Sequence, residues 1–360
     1  MVIRYRIDTS RIIDHYTEIN RSLRKQKYHL IGGHSAVKKC LWTHKVLMDN
    51  LYCYKGKFYG IDSHRCIQMS VSTQWCWNAC LHCWRIRPTD ILEEWDERRI
   101  PEIDDPEFIV EMSIIEHRRT VSGYKAHNVD PNKIAEAINP RHVAISLTGE
   151  NTLYPALGEL IKEYHKRNIT TFLVTRAVRP DIIANLDEEP SQLYISLEAY
   201  DKEGYEYFNT PLVPRAWEKT LETIEILPSF TCPTVYRITA VRGWNMSLEA
   251  AKGFAKLIER GEPTFVEVKA YMYVGTSTKR LGRENMPSHE EVKEFARILS
   301  EISGYKIVSE SRPSRVVLLS KLEKPLIRHG NAPVTWWDPD LTDFSEYEIS
   351  ENIYGEITTK

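Results

Sequence analysis

The stretch RCIQMSVSTQWCWNACLHC, residues 65–83, runs from a β-rich segment straight into three cysteines spaced C-x3-C-x2-C. Its first half, RCIQMSVS, reads as a strand, so Cys76, Cys80 and Cys83 fall in the loop that follows it. Six of the chain's 7 cysteines lie between Cys40 and Cys83, and the last is Cys232. Three thiolates can hold three corners of a [4Fe–4S] cube and leave the fourth iron open to a ligand. A structural zinc site asks instead for four ligands, usually two C-x2-C pairs. Only Cys80 and Cys83 form such a pair.

Downstream of this loop, short β-rich runs alternate with helix-length segments. RHVAISLTGE precedes LYPALGELIKEYHKR, ITTFLVT precedes PDIIANL, and QLYISLEAY precedes AWEKTLETIEIL. PTVYRITAVRG and TFVEVKAYMYVG are followed in turn by SLEAAKGFAKLIERG and SHEEVKEFARILSEI. Such alternation predicts an α/β fold with a parallel sheet and crossover helices. About six βα units are too few for an eight-fold barrel, so the expectation is an incomplete (β/α)6 barrel with its chemistry at the C-terminal strand ends. Residues 85–140 are less regular, with RRIPEIDDPEF marking a turn and then a helix start. The divisions expected are an N-terminal extension over 1–64, a barrel core over 65–304, and C-terminal strands with an acidic tail over 305–360.

With 360 residues, 42% of them hydrophobic and 27% charged, the chain can bury a large core and still present a soluble surface. The N-terminus lacks the apolar core of a secretory signal, and no run reaches the ~18 apolar residues of a membrane helix. A cytoplasmic location without a membrane partner is therefore expected, and in that reducing compartment clustered thiols point to a metal or redox centre rather than disulfides. Net charge is only −2, but it is unevenly spread. Residues 1–65 hold 13 Lys+Arg against 5 Asp+Glu, whereas the last 25 residues hold 1 Lys against 7 acids. A basic N-terminal region suits phosphates, with Arg21, Arg24, Lys25, Lys38 and Lys39 as candidate contacts. The acidic tail is expected to run partly extended over the surface.

A C-x3-C-x2-C loop after the first strand of an incomplete barrel resembles the radical S-adenosylmethionine superfamily. That resemblance implies a [4Fe–4S] cluster on Cys76, Cys80 and Cys83, whose open iron chelates the methionine end of S-adenosylmethionine, and a 5′-deoxyadenosyl radical. His82 then stands near the adenine. Thr148, Gly149 and Glu150, in SLTGEN, take the place of the turn that receives the methionine ammonium. A glycine lets backbone approach a ligand closely, and a carboxylate suits an ammonium. Ser196 and Glu198, at the end of SLEAY, are candidates for the ribose hydroxyls.

Cys40, Cys53 and Cys66 are each 13 positions apart, an interval with no helical or strand period behind it. Together with GGHSAVKKC, CYKGKFYG, LTGENTLYP, QLYISLEA, FVEVKAYMYVG, ENMPSHEEV and SRVVLL, this spacing resembles the 4-demethylwyosine synthases, in their single-domain archaeal-type form. The likeness spans Tyr28 to Leu319. It implies a second [4Fe–4S] cluster on Cys40, Cys53 and Cys66, and a Schiff base between Lys55 and pyruvate. The implied substrate is phenylalanine tRNA containing 1-methylguanosine, and an external electron donor is expected. Asn151, Arg176 and Arg242 depart from the family's proline, asparagine-glycine turn and lysine. Two other readings stay open on the residues alone: a two-cluster radical enzyme with another substrate, and a zinc-stabilised RNA-binding module.

Overall fold

The computed structural model describes residues 17–91, 94–322, 326–329 and 332–336. Six parallel strands form its centre: β3 (Cys66–Ser70), β4 (His142–Ile145), β5 (Thr170–Thr175), β6 (Gln192–Leu197), β7 (Thr234–Ala240) and β8 (Phe265–Ala270), paired in that order. Every one coincides with a β-rich run of the sequence, and the six-fold incomplete barrel stands as expected. Both edges of the parallel unit are covered. A hairpin of β1 (Tyr28–Ile31) and β2 (Ser35–Lys38) lies antiparallel on β3. On the other side β10 (Val316–Ser320) runs antiparallel to β8 and carries β9 (Lys306–Ser311) outside it. A separate hairpin pairs β11 (Leu326–His329) with β12 (Ala332–Trp336). The acidic tail from 337 onward lies outside the described residues.

Side chains alternate between two cores, as the period of two along a strand requires. Ile67, Val143, Ile145, Leu173, Leu193 and Ile238 face outward and are covered by the crossover helices. Phe172, Tyr194, Val235, Phe265, Val316 and Leu318 face inward and meet the helix Tyr54–Tyr59, which plugs the barrel with Tyr54, Phe58 and Tyr59. The covering helices start where their caps dictate. Asp105 accepts from the Phe108 N–H before Pro106–Ser122. Ser288 and Glu291 exchange bonds in a capping box before His289–Ser303, which ends at Gly304 with φ 74°. Among the described residues no helix is long and apolar enough to cross a membrane.

Candidate functional site

The triplet loop leaves the C-terminal end of β3 and is held largely by arginines. Arg85 donates to the carbonyls of Gln74 (3.0 Å) and Asn78 (3.2 Å) and pairs with Glu97. Arg87 donates to the Cys80 carbonyl at 2.6 Å. Arg280 reaches the Leu81 carbonyl at 3.2 Å and also bonds the Cys83 carbonyl, while Asp90 neutralises it at 3.1 Å. Fixing the carbonyls in this way leaves the thiols to point elsewhere. Burial pushes the Cys76 thiol up to about 12, against the pull of Arg85, and Cys80 and Cys83 lie close enough to raise it further. A thiol so raised keeps its proton until a metal displaces it. Trp75 is fully buried in the outer core, Trp77 is half-buried against it, and Trp84 is 40% exposed.

The end of β4 meets this loop. Gly149 has φ 72°, and a Cβ there would collide with the Ser72 carbonyl, so only glycine allows the approach. Glu150 is wholly buried. Its Oε1 accepts from Thr152 N (3.1 Å), Thr152 Oγ1 (2.8 Å) and Thr175 Oγ1 (2.7 Å), and its Oε2 accepts from Arg176 N at 2.7 Å. Of about four acceptor positions on a carboxylate, one remains, on Oε2. Thr148 Oγ1 is buried without a partner beside it. Asn151 binds the Ile145 carbonyl at 3.0 Å and the Val174 carbonyl at 3.3 Å, and accepts from Val71 N at 3.2 Å. One amide thus ties β4, β5 and the start of the triplet loop together.

Across the mouth, Glu198 gathers four groups. Arg176 Nη1 lies 2.5 Å and Asn209 Nδ2 3.1 Å from its Oε2; Thr239 Oγ1 lies 3.0 Å and His82 Nε2 3.3 Å from its Oε1. Burial alone would raise this carboxyl, but Arg176, His82 and Asn209 outweigh it and hold it below its ordinary value. The His82 ring stacks on Phe208 at 5.4 Å and 7°. Burial pushes His82 down to about 4, so it is neutral near pH 7, with Nδ1 buried and unpartnered. Ser196 is half-buried on the same inner face of β6, between Tyr194 and Glu198.

The other three cysteines gather toward the opposite end of β3. Cys40 and Cys53 are the N-cap residues of the helices Leu41–Asp49 and Tyr54–Tyr59, and Cys66 opens β3. Burial pushes Cys53 and Cys66 up to about 12 and raises Cys40. Charge on any one would be felt by another of the three, and by Lys55. Helix N-termini offer N–H groups that favour a thiolate once formed. Lys55 itself is buried, and its Nζ sits 4.5 Å from the centre of the Phe172 ring and 4.4 Å from that of Tyr194. It has no hydrogen-bond partner. Burial, then Arg237, lowers its pKa to about 8, against the opposing pull of Glu267, Cys66 and Cys53.

Sequence reasoning missed the surroundings of that amine. Glu267 accepts from Tyr59 (2.8 Å), Arg237 Nε (2.9 Å) and Tyr54 (3.2 Å). Lys269 lies over Tyr54 and donates to the Ser314 carbonyl at 3.0 Å. Charged residues at alternate positions in the apolar strand FVEVKA were the available signal. Among the described residues no three His, Cys, Asp or Glu converge on a single metal ion. Two sets of three cysteines, one beside buried unpartnered Thr148 and His82 atoms and one beside the unpartnered Lys55 amine, suit clusters with an open corner better than a lone ion.

Comparison with known proteins supports a radical S-adenosylmethionine centre with one [4Fe–4S] cluster. Residues 70–255 match the Radical SAM superfamily and residues 260–321 match Wyosine base formation. The S-adenosyl-L-methionine-dependent tRNA 4-demethylwyosine synthase of Pyrococcus abyssi (strain GE5 / Orsay) is 44% identical over 313 residues, covering 84% of this chain and 89% of that protein. The protein of the same name from Methanocaldococcus jannaschii is 43% identical over 304 residues, covering 84% and 95%. The solved structure of TYW1 with a lysine-pyruvate adduct bound aligns with a TM-score of 0.77 at 40% identity, over 86% of this chain and 96% of that one. These likenesses set aside the zinc-stabilised RNA-binding module. The chain belongs to the S-adenosyl-L-methionine-dependent tRNA 4-demethylwyosine synthases.

Proposed function

We propose that this enzyme builds 4-demethylwyosine from 1-methylguanosine-37 of phenylalanine tRNA and two carbons of pyruvate. Membership of the family brings S-adenosylmethionine and a [4Fe–4S] cluster. We assign that cluster to Cys76, Cys80 and Cys83, and a second one to Cys40, Cys53 and Cys66 within the extension 1–64 and the first residues of the 65–304 core. When bound, the first cluster and S-adenosylmethionine supply a 5′-deoxyadenosyl radical. Thr148 Oγ1 and the free acceptor of Glu150 receive the methionine ammonium, with Gly149 letting their turn pack directly against the triplet loop. Ser196 meets the ribose, Glu198 joins it by exchanging His82, its longest contact at 3.3 Å, for a ribose hydroxyl, and the His82–Phe208 stack flanks the adenine. One electron enters from a donor outside the chain.

The observation that carries the pyruvate half is the Lys55 amine, buried, without a hydrogen-bond partner and lying over two aromatic rings next to three thiols. A neutral amine attacks a keto carbon, water leaves, and an imine remains. The related TYW1 structure with a lysine-pyruvate adduct supports this reading. An imine on Lys55 would hold two carbons in place after the third is cut away.

The test is mass spectrometry of nucleosides from 1-methylguanosine-containing tRNA, after incubation with reduced protein, S-adenosylmethionine and pyruvate. The tricyclic base is expected, and its absence with cluster-replete protein sinks the substrate assignment. Wild-type protein should carry roughly eight iron atoms, four per cube. Cys80→Ala should lose cleavage of S-adenosylmethionine. Cys53→Ala should keep cleavage and lose product, and unchanged iron content and product in Cys53→Ala would remove the second cluster.

A further inference from the structure

We propose that Arg176 tunes the cluster on Cys80, through a hydrogen bond that raises its reduction potential. The inference rests on the assignment of a cluster to Cys76, Cys80 and Cys83. Arg176 follows β5, where the family's asparagine-glycine turn was expected. Its Nη2 lies 2.8 Å from Cys80 Sγ. Its Nη1 lies 2.5 Å from Glu198 Oε2, and its backbone N–H lies 2.7 Å from Glu150 Oε2. Both ends of the residue are therefore fixed. Ala177, which follows it, is fully buried at φ 62°, a left-handed conformation rare for alanine. Its N–H is held by Thr175 Oγ1 at 3.0 Å. The backbone is turned so that the guanidinium faces the sulfur.

The bond has a direction of effect. A cluster that takes up one electron places more negative charge on its thiolate sulfurs. An N–H aimed at one of them stabilises the reduced form more than the oxidised form, and the potential rises. Glu198 cancels much of the guanidinium's net charge, so the effect comes mainly from the bond itself. Asn209 Nδ2, 3.6 Å from the same sulfur and 3.1 Å from Glu198, holds the carboxylate in position to aim Arg176. The electron arrives from an external one-electron donor, so a raised potential makes reduction easier at a given donor strength.

The experiment is a redox titration of the reconstituted protein by electron paramagnetic resonance, without S-adenosylmethionine. The signal to follow is the one that changes when S-adenosylmethionine is added to a parallel sample. Arg176→Met, lacking the donor, should show a tenfold less favourable reduction, about 59 mV lower for one electron. Arg176→Lys, which keeps a donor and the charge, should recover part of the difference. Wild-type potential in a cluster-bearing Arg176→Met overturns the inference and leaves the cluster assignment standing. Absence of any such signal in the wild-type protein overturns the assignment and the inference with it. Should Arg176→Met lose its cluster, wild-type protein carrying arginine labelled with 15N in its guanidinium decides. A guanidinium nitrogen bonded to Cys80 Sγ should show a 15N hyperfine coupling to the reduced cluster by pulsed electron paramagnetic resonance, and absence of that coupling overturns the inference.

Discussion

At Asn151 one side chain replaces a stiff ring with four hydrogen bonds, to Ile145, Val174, Val71 and Ser70. Putting the family's proline there would strand the Val71 N–H in the core. A buried unsatisfied group costs about 1–3 kcal/mol, so Asn151→Pro should lower the thermal midpoint by several degrees despite restoring the common sequence. Thermal unfolding followed by circular dichroism checks this. Lys55 behaves oppositely. Its amine lies buried without a hydrogen-bond partner, a placement that costs stability and suits the imine proposed above. Lys55→Met should stabilise metal-free protein by about 1–3 kcal/mol while abolishing both product and the borohydride-trapped pyruvate adduct. A destabilised Lys55→Met would mean the amine has a structural role.

Helices around the barrel carry their own titration. His117, on Pro106–Ser122, donates from Nε2 to the Ala137 carbonyl of Pro131–Ile138 at 2.9 Å. Burial, eased by that carbonyl and reinforced by Arg118, lowers its pKa to about 4. An unfolded chain binds this proton near pH 6.5 and the folded one only near 4, so stability falls as pH drops through that window. The loss is on the order of 3 kcal/mol at full protonation. His117→Gln keeps a donor and never titrates, so its thermal midpoint should fall less than wild type's between pH 7 and 4.5. The strands of the barrel were legible because each is a compact β-rich run, and five of the six are followed by a helix-length segment. The triplet loop was legible because cysteine is rare elsewhere in the chain. The Lys55 cradle was not, since Phe172, Tyr194, Arg237 and Glu267 come from four different strands and look in sequence like ordinary core and charge. Arg176 was visible only as a departure. Its two bonds depend on the turn at Ala177, which local sequence does not announce.

At the scale of the whole molecule, the tRNA contact expected from the sequence is the basic N-terminal segment. Arg21, Arg24 and Lys25 are exposed on the helix Thr17–Lys25, and Lys39 is exposed beside the hairpin. Lys38 is half-buried over the Tyr28 ring at 4.6 Å, a poorer phosphate contact than its neighbour. Reversing Arg24 and Lys25 to glutamate should weaken tRNA binding and flatten its salt dependence by about 0.7–0.9 in logarithmic slope per lost contact. Filter binding from low to moderate salt reads both, and an unchanged slope removes this helix from the footprint. The strand β3 carries Cys66 at its first residue, and the triplet loop departs after Ser70. Four steps of about 3.3 Å make that interval about 13 Å. Side chains alternate faces along it, so the interval can be changed only by inserting or deleting residues in pairs, in jumps of about 6.6 Å. No succession of point substitutions can lengthen it gradually. Descendants of this chain are therefore free to vary what is recognised at either end, while the length of strand between Cys66 and the triplet loop is inherited whole.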